Sequence, residues 1–194
     1  MKKFITENLK NSISAKEKFA RDGLDSIIEL ARLMVTTFNQ GNKILIFGNG
    51  GSAADAQHMA AEFVNRFIAD RPPLPAIALT TDSSVITSIG NDFSFDEIFS
   101  KQITALGKKG DLALGISTSG NSPNVINAIR EAELLGLHTA VLTGGSGGEL
   151  ARISGLVLNV PSDKTPHIQE AHLWIEHLLC WLVEDILLGK YEEI

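Results

Sequence analysis

The sequence predicts an α/β fold in which helices cover both faces of a five-stranded parallel sheet, preceded by an N-terminal helical hairpin. Five short apolar runs alternate along the chain with longer segments of helical character. Strands of a parallel sheet are buried on both faces, so they are continuously apolar, and regular alternation with helices is typical of α/β domains. Two of the runs end in loops rich in glycine or hydroxyl side chains. Such sheets bind ligands beyond the carboxyl ends of their strands.

Residues 1–40 predict the helical hairpin. Apolar residues recur at helical spacing through the second half of this segment, which gives the second helix one apolar stripe. Gly23 separates the two helices, and Gly41 follows the second, where a C-terminal glycine is expected. We expect the hairpin to pack on the sheet or on a neighbouring subunit, and residues 41–194 to form one structural unit.

The remaining chain predicts the strands and the helices between them. The predicted strands are 43–47, 76–79, 111–116, 139–142 and 155–160. The segments of helical character include 53–69, 95–106, 125–135 and a long final helix over 168–190.

Composition and charge exclude several classes of protein. The chain carries 23 acidic and 17 basic residues, a net charge of −6, and it has no run of Lys and Arg that would bind nucleic acid phosphates. No apolar stretch approaches the roughly 18 to 20 residues of a membrane span. Cys180 lies in an apolar run and is expected to be a core thiol, which suits a reducing compartment. We therefore expect a cytoplasmic protein with no nucleic acid or membrane partner.

The first predicted strand ends in a glycine-rich loop, Gly48-Asn49-Gly50-Gly51-Ser52-Ala53. Glycine lets the backbone turn tightly and approach a ligand, with the N-terminus of the next helix behind it. The loop also satisfies a loose dinucleotide-binding fingerprint. That fingerprint requires an acidic residue at the end of the second strand, about 20 positions further on. Asp82 comes later, beyond the strand, so dinucleotide binding is disfavoured.

The third predicted strand ends in a loop with four hydroxyl side chains, those of Ser117, Thr118, Ser119 and Ser122. Ser122 is placed to cap the next helix, and Pro123 takes its first position. Hydroxyl groups at a helix N-terminus are suited to an anion such as a phosphate monoester. No lysine follows, so the loop is not a nucleotide P-loop. A capped polar turn without a ligand is the alternative.

Two polar groups on helices have the chemistry of metal ligands. His58 and Glu62 are four residues apart and share a helix face, so they can ligate one zinc ion, although a surface pair has the same spacing. The final helix carries Gln169, Glu170, His172, Glu176 and His177 among apolar residues. Gln169 and His177 are roughly 80° apart around this helix and about 12 Å apart along it. Helix geometry alone therefore favours Gln169 with His172, and a solvated helix edge is the alternative.

Together these segments resemble the phosphoheptose isomerases of the sugar isomerase (SIS) domain family, over roughly residues 25 to 190. The matching motifs are GNGGSAADAQHMAAE (48–62), IGND (89–92), GISTSGNSPN (115–124), LTG (142–144) and IQEAHLWIEH (168–177). The resemblance implies that residues 41–194 are a SIS phosphosugar-binding domain, and that the protein is a homotetramer with active sites between subunits. It also implies isomerisation of sedoheptulose 7-phosphate to D-glycero-D-manno-heptose 7-phosphate, for cell-surface glycans such as lipopolysaccharide.

The resemblance also implies roles for individual residues. Ser117, Thr118, Ser119 and Ser122 would hold the phosphate, and the sugar would contact Asn49, Gly50, Gly51, Glu62, Asn91, Asp92 and Gln169. One Zn²⁺ per subunit would be bound by His58, Glu62, Gln169 and His177. Glu62 and His177 would also be the acid/base pair. His172 then supports or packs against the site. The family usually has an arginine where this chain has His167 after Pro166, which puts a cationic contact there in doubt.

Other members of the family define the rival interpretations. A noncatalytic adaptor that binds the bacterial replication initiator protein keeps the fold but lacks the glutamate and the late histidine. This chain has both Glu62 and His177, which favours an enzyme. Another phosphosugar isomerase or lyase of the same fold remains an alternative, as does a regulator that senses sugar phosphates.

Overall fold

The computed structural model describes residues 1–191 and contains a five-stranded sheet in the order β2-β1-β3-β4-β5. The strands are β1 (Ile44–Gly48), β2 (Ala76–Ala78), β3 (Leu112–Ser117), β4 (His138–Gly144) and β5 (Leu156–Val160). All four pairings are parallel. The predicted fold class is therefore confirmed, and each predicted strand overlaps an observed one. The last three residues of the predicted 41–194 unit lie outside the described residues.

Helices connect and cover these strands. They are α1 (Lys2–Asp22), α2 (Leu24–Asn39), α3 (Gly51–Val64), α4 (Ser83–Asp92), α5 (Ser100–Leu106), α6 (Pro123–Leu134), α7 (Leu150–Ile153) and α8 (Thr165–Leu187), with one turn of 3-10 helix over Phe95–Glu97. The predicted N-terminal hairpin is present as α1 and α2. None of the helices within residues 1–191 is long and apolar enough to cross a membrane.

The helices differ most from the prediction in three places. The helix predicted over 53–69 ends at Val64, and the backbone N–H groups of residues 67–69 donate to a distant carboxylate instead of to helical carbonyls. The helix predicted over 95–106 is divided into the 3-10 turn and α5. Helix α4 was not predicted. The Asp82 side chain caps it by accepting from the Val85 N–H, and none of its residues is buried, so its sequence carries a weak apolar signal.

The sheet separates two apolar layers. Helices α1, α2, α3 and α8 cover one face, where Ile44 and Ile46 of β1 point. Helices α5, α6 and α7 cover the other face, where Leu45 and Phe47 of the same strand point. Because successive side chains of a strand point to opposite faces, burial on both sides explains why these strands are continuous apolar runs.

The strand order places a topological switch point between β1 and β3. The chain adds β2 on one side of β1 and then crosses to add β3 on the other side. Helix α3 leaves the end of β1 towards one apolar layer, and α6 leaves the end of β3 towards the other. The crevice between such diverging loops is where open α/β sheets bind ligands. The glycine-rich loop and the hydroxyl loop lie at this point.

Candidate active site

The glycine-rich loop and the hydroxyl loop are in close contact. Gly48 pairs with Ile116 at the ends of β1 and β3, and a Cβ atom on Gly48 would lie 2.7 Å from the Ile116 carbonyl oxygen. Gly50 has a φ of 57°, which favours glycine because other residues rarely adopt it. The backbone between β1 and α3 therefore has a conformation that larger residues would disturb.

A pair of amides connects the two loops. Asn49 Nδ2 donates to Asn124 Oδ1 at 2.8 Å, and Asn124 Nδ2 donates back to Asn49 Oδ1 at 2.9 Å. Asn124 is 2% exposed, so its amide is buried and these two bonds satisfy it. The sequence interpretation assigned no role to Asn124. Its only local signal is its position after Pro123, which cannot reveal a partner 75 residues away.

The hydroxyl loop presents its side chains at the N-terminus of α6. Ser117 Oγ and Ser122 Oγ are 3.0 Å apart and hydrogen-bonded. Ser122 takes the predicted N-cap position, but its side chain makes no capping bond to the helix. Ser119 is exposed, and its Oγ accepts from the Asn121 N–H at 3.2 Å. Hydroxyl groups that can reorient and a helix N-terminus together suit an anionic ligand.

His58, Glu62 and His177 converge at the adjoining faces of α3 and α8. His58 Nε2 and Glu62 Oε1 are 3.0 Å apart, and their side chains are 39% and 24% exposed. The ring centroids of His58 and His177 are 5.1 Å apart. Burial and the nearby His58 lower the pKa of His177, and Glu62 opposes this effect. A carboxylate and two imidazoles are therefore brought together from segments more than 100 residues apart in the chain.

The other polar residues of α8 have varied surroundings, so they do not form one solvated edge. Glu170 accepts a hydrogen bond from Ser12 of α1. The buried His172 donates from Nε2 to the Thr143 carbonyl at 2.9 Å, and burial lowers its pKa to about 4. Within residues 1–191, the buried Glu176 carboxyl has no hydrogen-bond partner. Burial is the main cause that raises the pKa of Glu176, and the negative charge of Asp55 raises it further.

Gln169 lies at the glycine-rich loop rather than beside His172. A Cβ atom on Gly51 would be 2.5 Å from Gln169 Nε2, so this side chain packs directly on the start of α3. The pairing of Gln169 with His172 that helix spacing favours is not seen, because His172 is turned towards β4.

Asn91 and Asp92 lie at the end of α4, where both are exposed. Asn91 Nδ2 donates to Asp92 Oδ1 at 2.8 Å. These two predicted sugar contacts therefore bond to each other, and their amide and carboxylate remain open to solvent.

Comparison with known proteins identifies the family of this chain. The SIS domain family matches residues 8–144. A phosphoheptose isomerase of Nitratidesulfovibrio vulgaris is 51% identical over 186 residues, which cover 96% of this chain and 89% of the relative. The chain belongs to the phosphoheptose isomerase family of SIS-domain proteins.

Solved structures of the phosphoheptose isomerase family agree with this fold. A phosphoheptose isomerase from Neisseria gonorrhoeae superposes with a TM-score of 0.90 at 42% identity, covering 95% of this chain and 98% of that chain. One from Francisella tularensis gives a TM-score of 0.91 at 42% identity, with 94% and 97% coverage. The predicted resemblance is confirmed, and it extends over nearly the whole chain.

The family resemblance implies a zinc ion, and the donor chemistry of the cluster fits it. Imidazole nitrogen and carboxylate oxygen are ordinary zinc ligands, and His58, Glu62 and His177 supply both. As arranged, no group of three or more His, Cys, Asp or Glu side chains within residues 1–191 is close enough to hold a metal ion. The hydrogen bond between His58 and Glu62 engages one potential metal-binding atom of each residue, Nε2 of His58 and Oε1 of Glu62. Metal binding would have to replace this bond.

Proposed function

We propose that this protein isomerises sedoheptulose 7-phosphate to D-glycero-D-manno-heptose 7-phosphate in the cytoplasm, for the synthesis of heptose in cell-surface glycans. The similarity to phosphoheptose isomerases supports the reaction class. The observation that carries the proposal is the meeting of His58, Glu62 and His177 between α3, which begins at the β1–β3 switch point, and α8. This arrangement supplies a base and a proton-exchanging imidazole, and the hydroxyl loop supplies groups suited to phosphate.

Glu62 is proposed as the base. Aldose–ketose isomerisation removes a proton from C1 of the ketose, passes through an enediolate, and delivers a proton to C2 of the aldose. Glu62 is partly buried, and its carboxylate is directed towards His58 and the neighbouring His177. A positioned carboxylate of this kind typically accelerates proton transfer by a factor of about 10² to 10⁴.

His177 is proposed to move the second proton, between the oxygen atoms on C1 and C2. An imidazole exchanges protons close to neutral pH, and the lowered pKa of His177 favours its neutral form. Ser117, Thr118, Ser119 and Ser122 would hold the distant phosphate. The binding energy of the phosphate would then position the reacting end of the sugar.

Zinc is proposed as the cofactor, one ion per subunit, with His58, Glu62, Gln169 and His177 as the residues that would hold it. Because Gln169 packs on Gly51 and lies about 12 Å along α8 from His177, a shared ion would need one of these ligands from a neighbouring subunit. When bound, a zinc ion polarises the substrate carbonyl and stabilises the negative charge that develops on its oxygen.

A homotetramer with active sites between subunits is also proposed. In the single chain, α1 exposes a row of apolar side chains at Ile5, Leu9 and Ile13, which are 65%, 59% and 46% exposed. Apolar stripes of this kind commonly mark protein contacts. Sedimentation equilibrium should therefore give four times the chain mass of 20.9 kDa. A monomeric mass at micromolar concentration would contradict the assembly.

The proposal is tested by incubating the purified protein with sedoheptulose 7-phosphate and following the appearance of the aldose by NMR. The expected result is conversion of this ketose at a higher kcat/KM than that of a six-carbon ketose 6-phosphate. Preference for the shorter substrate would indicate another phosphosugar isomerase. Binding of the sugar phosphate without turnover would indicate a noncatalytic relative.

A further inference from the structure

We infer that Glu184, together with Arg71, positions His177 for the reaction by fixing the loop that stacks Phe67 on the imidazole. This inference rests on the proposed function, because it assigns these residues a part in the same reaction. Neither charged residue carries a role in the sequence interpretation. Glu184 follows His177 by about two turns of α8, or about 10 Å, so it acts through the intervening loop.

The Glu184 carboxylate organises the chain after α3. Its side chain is 1% exposed, and it accepts from three successive backbone N–H groups, those of Phe67 (2.8 Å), Ile68 (3.0 Å) and Ala69 (2.8 Å). Charge-assisted bonds of this kind are stronger than neutral ones. They hold the 67–69 backbone in one conformation against α8.

Arg71 connects the same carboxylate to the end of α3. Its side chain is 3% exposed, and Nε donates to Glu184 Oε1 at 3.0 Å. Its two terminal nitrogens donate to the carbonyls of Phe63 and Glu62, each at 2.8 Å. The last carbonyls of a helix lack helical partners, so Arg71 satisfies them. We call this connection the Arg71–Glu184 clamp. It joins the helix that carries Glu62 to the helix that carries His177.

Phe67 transmits the position of the loop to the imidazole. Its ring is stacked on His177 with centroids 5.5 Å apart and an interplanar angle of 28°. The His58 ring meets His177 edge-on at 5.1 Å. The imidazole is thus bounded by two rings, one of them carried by the clamped loop. The Phe67 ring also lies 6.4 Å from that of Trp181, which provides a spectroscopic probe.

Loss of the clamp is expected to act on turnover rather than on substrate affinity. In Glu184→Gln, the three N–H groups face an amide that offers a single oxygen and an NH₂ group, so the loop and Phe67 shift. Displacement of a catalytic group by about 1 Å can reduce the rate about a hundredfold. We expect kcat to fall by about ten- to a hundredfold while KM changes less than threefold, because the hydroxyl loop is untouched.

The test is a double-mutant cycle on kcat with Glu184→Gln, Phe67→Leu and the double variant. If Glu184 acts through Phe67, the double variant should have the kcat of the slower single variant. If the double variant lost kcat by the product of the two single losses, the inference would be overturned. A change in KM without a change in kcat in the single variants would also overturn it.

The matched control is Asp111→Asn. Asp111 is also a buried carboxylate, 1% exposed, and it accepts from the N–H groups of Lys43 (3.0 Å) and Lys108 (2.9 Å). It precedes β3, at the opposite end of that strand from the hydroxyl loop. Asp111→Asn should lower stability but leave kcat unchanged. An equal loss of kcat in this variant would show that any buried carboxylate has the same effect, which would overturn the inference.

A second measurement does not depend on turnover. In a Trp174→Phe background Trp181 is the remaining tryptophan, and we expect Glu184→Gln and Phe67→Leu each to increase its quenching by acrylamide, with no change for Asp111→Asn. Unchanged quenching of Trp181 in Glu184→Gln would show that the Arg71–Glu184 clamp does not hold the loop, which would overturn the inference. If Glu184→Gln fails to fold, Glu184→Asp replaces it in both measurements. A wild-type protein without isomerase activity would refute the proposed function, and the quenching would still decide whether the clamp holds the loop.

Discussion

His172 and His177 lie on one helix, and their surroundings give them different chemistry. His172 is fully buried, with Nε2 donating to the Thr143 carbonyl, and its Nδ1 has no partner within residues 1–191. Protonation would bury an unpaired N–H and a charge, which is costly. His177 is partly exposed beside Glu62 and can exchange its proton with a ligand. Burial therefore makes the first histidine structural and leaves the second available for proton transfer.

The buried His172 should make stability depend on pH. Burial lowers its pKa from 6.5 to about 4, so the folded protein disfavours the charged form. The stabilisation by neutral His172 is present above pH 6.5 and is lost as the pH falls towards 4. The free energy of unfolding should decrease by about 3 kcal/mol over this range from this group alone.

Urea unfolding between pH 7.5 and 4.5 tests this expectation. The His172→Gln variant, which keeps a donor for Thr143, should show a flatter dependence on pH than the wild type. The control is His138→Gln, which changes an exposed histidine and should leave the dependence unchanged. Equal slopes for the wild type and His172→Gln would contradict the assignment.

At the scale of elements, the two loops at the carboxyl ends of β1 and β3 depend on each other. The reciprocal amide bonds between Asn49 and Asn124 hold the glycine-rich loop against the start of α6. Since one loop is proposed to contact the sugar and the other the phosphate, their relative position determines the length of substrate that fits. We therefore expect the pair to contribute to binding as well as to folding.

Substitution of Asn124 tests the connection between the loops. Asn124→Ala should lower the free energy of unfolding by about 1 to 3 kcal/mol, because it leaves the Asn49 amide unpaired, and it should raise KM for the sugar phosphate several-fold. Asn127→Ala is the matched control, since Asn127 lies on the same helix and donates to the Asp96 carbonyl at 3.1 Å. If both variants raised KM equally, the amide pair would have no specific role in binding.

The sequence predicts elements well where local pattern decides them. All five strands were predicted because burial on both faces leaves continuous apolar runs, and the two loops were found through their glycine and hydroxyl content. The end of α3 was misplaced because it depends on Glu184, which is 117 residues from Phe67 in the chain. Phe67, Arg71 and Asn124 were missed for the same reason. Their partners come from distant segments, which no local pattern reveals.

At the scale of the whole molecule, the proposed chemistry comes from three separate segments of the chain. Helix α3 carries His58 and Glu62, α8 carries His177, and the loop between β3 and α6 carries the hydroxyl groups. The two helices lie on the same face of the sheet, and α6 lies on the other. The proposed reacting groups therefore lie on helices that cover one face of the sheet, and the proposed phosphate site lies at the start of a helix that covers the other.

The proposed zinc ion gives a prediction for the whole molecule. Dialysis against a chelator should lower kcat, and added zinc should restore it, because His58 and Glu62 can exchange their mutual hydrogen bond for metal ligation. His58→Gln should retain less zinc by elemental analysis, whereas His138→Gln should retain as much as the wild type. Full activity in protein that contains no metal would contradict zinc as the cofactor.

The most direct test of the central claim is the kcat of Glu62→Gln with sedoheptulose 7-phosphate, beside Glu29→Gln as an exposed control. A glutamine at position 62 keeps the shape of the side chain and removes the base. We expect a loss of kcat by a factor of about 10² to 10⁴, with an unchanged unfolding temperature and normal activity in Glu29→Gln. Wild-type turnover by Glu62→Gln would contradict the account.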